Sequence, residues 1–73
     1  MAMSDIVVKT RLRDLREDAD LKQREVAAAI HVAQTTYSAY ELGAVNIPAT
    51  ALIALADFYN TSIDYILFRR DKR

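Results

Sequence analysis

Gln34, Thr35, Ser38 and Ala39 sit within six residues of one another in a stretch with helical apolar spacing, which puts them on one outer helix face. They are uncharged, and most can hydrogen-bond. That combination suits reading base edges in a DNA major groove better than it suits chemistry on a substrate. The parts of an enzyme are missing. One histidine and scattered carboxylates form no nucleophile–base pair, no metal-ligand spacing and no glycine-rich phosphate loop. The expectation is a non-enzyme that needs no cofactor and no metal.

The elements that must hold these residues lie in residues 21–43, LKQREVAAAIHVAQTTYSAYELG. Leu21, Val26, Ala27 and Ile30 share a helical face, His31 and Val32 interrupt it, and a second helical run over residues 33–42 stops at Gly43. Two short helices joined by a three- or four-residue turn make a helix-turn-helix. A tight turn of this kind wants a left-handed residue just past the first helix, and histidine is one of the few non-glycine types enriched there. Positive φ is therefore expected at His31, in preference to a phosphate contact by its ring. Tyr37 and Tyr40 read as inward wedges between helices 2, 3 and 4, in preference to stacking on nucleic acid.

Composition bounds the rest. With 73 residues the chain is one domain with a marginal core, and with 52% hydrophobic residues it is not disordered. The absence of cysteine excludes a disulfide framework and thiolate metal sites, and is compatible with a reducing cytoplasm. No apolar run approaches the ~20 residues of a membrane span, and MAMSDIVV lacks the charged and apolar regions of a secretory signal. A net charge of zero counts against nucleic-acid binding. The charge is nevertheless polarised: Arg69, Arg70, Lys72 and Arg73 face one acid, Asp71, while Asp14, Glu17, Asp18 and Asp20 form an acidic cluster. The basic tail over residues 69–73 either grips DNA or is a solvated terminus.

In chain order, the patterns predict five helices and no strand, an all-α domain. Helix 1 is expected from a cap at Ser4 or Asp5, burying Val8, Leu12, Leu15 and Ala19. Helix 2 should span residues 23–30 from a poor cap, Lys22, with Asp20 as an alternative acceptor. Helix 3 lacks a good cap as well, at Ala33. Helix 4 starts near Pro48 and carries Leu52, Ile53, Leu55, Ala56 and Tyr59, expected to be the most buried segment, with Asn60 as a left-handed end. Helix 5 is capped by Ser62. Its Ile66, Leu67 and Phe68 offer more apolar surface than one short helix can hide, so a weak homodimer contact is expected there.

The segments LRDLRED, LKQREVAAAI, VAQTTYSAYELG and NIPATALIALADFYNTSIDYIL, in that order and spacing, resemble the Xre/Cro family of phage and bacterial repressors over residues 8–67. The resemblance implies a five-helix, lambda-repressor-like DNA-binding domain with its helix-turn-helix at residues 23–42. It implies base contacts from Gln34, Thr35, Ser38 and Ala39, and phosphate contacts from Gln23, Thr36 and Asn46. Arg24 reaches a phosphate or is a solvated charge. Arg16 and Glu41 match a family salt bridge between helices 1 and 3. The chain departs from the pattern at Leu42 and Ala44, apolar where relatives often carry polar or basic residues, so two phosphate contacts are missing. The expectation is a cytoplasmic repressor acting on double-stranded DNA as a homodimer on a pseudo-palindromic operator. The alternative is a protein-binding, antitoxin-like module that keeps the fold with weak DNA affinity.

Overall fold

The computed structural model describes residues 9–72. Among them are five helices and no strand: α1 Leu12–Asp18, α2 Gln23–Ala29, α3 Gln34–Leu42, α4 Ala49–Phe58 and α5 Ile63–Ile66. The all-α expectation holds.

All five helices stop by one device. Beyond each lies a residue with positive φ: Asp20 at 57°, His31 at 61°, Gly43 at 73°, Asn60 at 53° and Phe68 at 62°. In each case the amide of that residue and the next turn back onto the helix, as in His31 to Ala28 at 3.2 Å and Val32 to Ala27 at 3.0 Å. This is the Schellman arrangement, which satisfies carbonyls that a helix end leaves unpaired. The left-handed turns expected at His31 and Asn60 are present. Those at Asp20 and Phe68 were not foreseen. The residues that follow, Leu21 and Val32, pack against the core, so stopping the helix and burying its neighbour are one event.

Helix starts are less uniform. Ser62 caps α5 as expected, its Oγ accepting the Tyr65 amide at 3.0 Å. Neither Lys22 nor Ala33 offers a side-chain acceptor. Asp20 does not repair α2, because it ends α1. Glu25 does: its carboxylate accepts the Lys22 amide at 3.0 Å, half of a capping box.

Helix 1 begins later than its sequence suggests. The expected caps Ser4 and Asp5, and Val8, lie outside the described residues, while residues 9–11 are not helical. Arg11 is held by the far end of the chain instead. Its amide donates to the Ile66 carbonyl at 2.8 Å and its Nε to the Tyr65 carbonyl at 2.8 Å. Thr10 Oγ1 then accepts the Leu12 amide at 3.3 Å. Ala19 is exposed, against expectation, because the helix has ended before it.

The core gathers Leu12 and Leu15 from α1, Val26 and Ala27 from α2, Tyr37 and Tyr40 from α3, and Ala51, Leu55 and Ala56 from α4. Helix α4, expected to be the most buried segment, is buried along one stripe only. Its inward stripe is Ala51, Leu55 and Tyr59 with Ala56, which leaves Leu52 half-buried and Ile53 53% exposed.

On helix 5 the residues expected to offer apolar surface are placed unequally. Ile66 is fully buried in its own protomer, and Leu67 is half-buried. Phe68 stacks on the Arg11 guanidinium, 4.1 Å from its ring centroid, with Tyr65 at 4.4 Å. Ile66 is thus plugged inward, while Phe68 lays one face of its ring against a cation and stays 49% exposed. No helix among the described residues is long and apolar enough to cross a membrane.

Candidate nucleic-acid interface

Burial of Tyr37 and Tyr40, three residues apart, fixes the rotation of α3. Tyr37 is fully buried and Tyr40 nearly so. The face turned away from them carries Thr35, exposed, half-buried Ser38 and Ala39, and Leu42, 75% exposed, while Gln34 is exposed at the first position of the helix, flanking that face. The turn between α2 and α3 runs through left-handed His31, whose own position is exposed. Thr36 is half-buried, Arg24 exposed, and Asn46 exposed in the loop before α4.

One polar network joins three helices behind this face. Arg16 of α1 grips the Glu41 carboxylate of α3 with two hydrogen bonds, Nε at 2.6 Å and Nη2 at 3.2 Å, and its Nη1 donates to the Leu21 carbonyl at 3.0 Å. The side chains are 16% and 4% exposed. Gln23, the first residue of α2, donates its amide nitrogen to Glu41 Oε1 at 3.2 Å. A phosphate only accepts hydrogen bonds, so the second N–H of that amide is the part of Gln23 that can hold one.

The electrostatics follow from the geometry. Burial by itself would raise the Glu41 carboxyl, but hydrogen bonds from Arg16, Tyr37 and Gln23 outweigh it and hold the group below its ordinary value. The hydrogen bond with Glu41 raises Arg16 in turn. Burial, with a hydroxyl–hydroxyl contact of 3.4 Å to Tyr59, pushes the Tyr37 phenol far above the ordinary tyrosine range. These phenols stay neutral, and the Arg16–Glu41 pair stays charged.

The structure brings Gln23 and Ser38 to one groove of about 260 Å³, with Arg13, Arg16, Glu41 and Leu42 completing its lining. Asn46 is not part of it. It borders a second, more apolar depression of about 270 Å³ with Val45, Ile47, Leu52 and Leu67. Arg13, three residues before Arg16 and on the same face of α1, is the one residue of this lining that carries an exposed cation. Among the described residues no group of three or more histidine, cysteine or acidic side chains could hold a metal ion.

A two-helix unit with a tight left-handed turn, its second helix exposed along a polar face and braced by an Arg–Glu pair, defines a helix-turn-helix domain of the Xre/Cro type. The helix-turn-helix family model HTH_3 matches residues 12–66, and the chain belongs to that family, one of transcriptional regulators, not of enzymes. Its relatives include an uncharacterized HTH-type transcriptional regulator, YobD, of Bacillus subtilis (strain 168), 39% identical over 57 residues. That match covers 78% of this chain and 51% of YobD. Another is the cryptic phage CTXphi transcriptional repressor RstR of Vibrio cholerae, 43% identical over 54 residues, covering 74% of this chain and 49% of RstR. The chain thus spans about half the length of these relatives.

Proposed function

We propose that this chain is the DNA-binding domain of a transcriptional repressor that acts in the cytoplasm as a homodimer on a pseudo-palindromic operator. The observation that carries the reading is the exposed polar face of α3, aimed outward by the burial of Tyr37 and Tyr40. Gln34 pairs with adenine through its amide, and Thr35, Ser38 and Ala39 meet neighbouring base edges or thymine methyl groups. Gln23, Arg24, Thr36 and Asn46 set register through the phosphates. In a dimer the two α3 helices occupy successive major grooves about 34 Å apart.

Selection of bound sequences from a random duplex library at low salt tests this directly. A two-fold-symmetric motif is the expected result; an asymmetric motif would remove the homodimer, and recovery of no sequence would remove DNA binding. Leu42, 75% exposed on α3, favours a second reading, a protein-binding module, which gains if no duplex is retained.

A further inference from the structure

The groove between α1 and α3 holds one arginine that the proposed contacts leave unused. Arg16 is engaged, gripping Glu41 and the Leu21 carbonyl. Arg13 is not. Its side chain is 73% exposed, and its partner among the described residues is Glu17, one turn further along α1, at 2.9 Å. Glu17 is itself 52% exposed. An exposed pair one turn apart contributes little and is screened by salt, so the guanidinium can leave it at small cost.

Its surroundings say where it would go. Arg13 lines the same groove as Gln23, a residue proposed to hold a phosphate, and Ser38, proposed to face a base. Leu42, which also lines that groove, is apolar and cannot bind an anion. The exposed acids of α1, Asp14, Glu17 and Asp18, would repel a nearby DNA strand unless a cation faced it. Arg13 belongs to α1 and not to the base-facing helix, so the backbone is the part of DNA within its chemistry: a guanidinium forks two phosphate oxygens.

We propose that Arg13 is a phosphate-binding residue that exchanges Glu17 for a DNA phosphate at the mouth of this groove, beside Gln23. Glu17 is then a resident counter-ion that DNA displaces. The proposal rests on the DNA-binding reading above.

The test compares the full chain with Arg13→Gln, Arg13→Lys and Glu17→Gln on the duplex recovered by library selection and on an unrelated duplex, from about 50 to 200 mM salt. Arg13→Gln should weaken binding several-fold on both duplexes alike. The slope of log affinity against log salt should become shallower by about 0.9, the change for one phosphate contact. Arg13→Lys should restore the slope, and Glu17→Gln should tighten binding to both duplexes. An unchanged slope in Arg13→Gln overturns the assignment while leaving DNA binding intact. Wild-type protein that binds neither duplex overturns the DNA reading and this proposal with it. A thermal melt of Arg13→Gln separates a folding defect from a lost contact, since a defect lowers the transition temperature without the stepwise change in slope.

Discussion

Tyr37 and Tyr40 act at the scale of single residues: their rings occupy core space, and the helix they belong to has no freedom left to rotate. Thr35 is turned outward as a consequence, and Gln34, the first residue of α3, is exposed beside it. Gln34→Ala should cost about 1–3 kcal/mol on the selected duplex and relax preference at one base pair, as read by titration against single-base variants. Affinity and preference both unchanged would remove Gln34 from the base contacts. A second residue-scale effect concerns Thr61. Its Oγ1 is buried without a hydrogen-bond partner, an arrangement that costs about 1–3 kcal/mol for a polar group. Thr61→Val keeps the shape and removes the unmet hydroxyl, so urea unfolding should show a gain of about 1 kcal/mol. A loss of stability would mean that the hydroxyl is satisfied after all.

At the scale of elements, the five shared helix ends matter most. A left-handed conformation costs a residue with a Cβ about 1–2 kcal/mol, and only Gly43 avoids it. His31→Gly should therefore stabilise the fold, by about 0.5–1 kcal/mol after the extra entropy of glycine in the unfolded chain is subtracted. The denaturation midpoint measures this, and a downward shift would show that the His31 side chain holds the turn by contacts that outweigh its strain. Phe68 is the exception among the turning residues. It tolerates φ of 62° while its ring lies on Arg11, so the end of α5 and the start of α1 stabilise each other.

For the whole molecule, the Arg16–Glu41–Gln23 network joins α1, α2 and α3 where burial supplies little polar compensation. Glu41 titrates lower when folded than when unfolded, so its contribution is complete above the ordinary carboxylate value of about 4.3 and disappears as pH falls through the depressed folded value. Glu41→Gln should destabilise the domain at pH 7 by about 3 kcal/mol, the low end for a buried pair because Arg16 keeps some access to water. It should also flatten the acid limb of stability measured from pH 7 to 3. A variant that retains the wild-type acid limb would place that pH dependence on other carboxylates. Against a total stability of roughly 4–11 kcal/mol for a chain of this length, such a loss is a large fraction.

Local rules were enough for the features that close within a few residues. The His31 and Asn60 turns, the Ser62 cap, the stop at Gly43 and the inward tyrosines each depend on one residue type at one helical position. The family was equally legible, because its pattern is an order of such local signals along the chain. Tertiary structure alone decided the late start of α1, the inward placement of Ile66, the anchoring of Gln23 on Glu41 and the sharing of one groove by Arg13 and Ser38. Those features join residues far apart in sequence, 54 positions for the Arg11–Tyr65 contact and 25 for Arg16–Glu41. Apolar periodicity tells which side of a helix is buried, but not what buries it. Residue 11 meets residues 65–68 only through the tertiary fold, and that meeting sets how Tyr65 and Phe68 are placed.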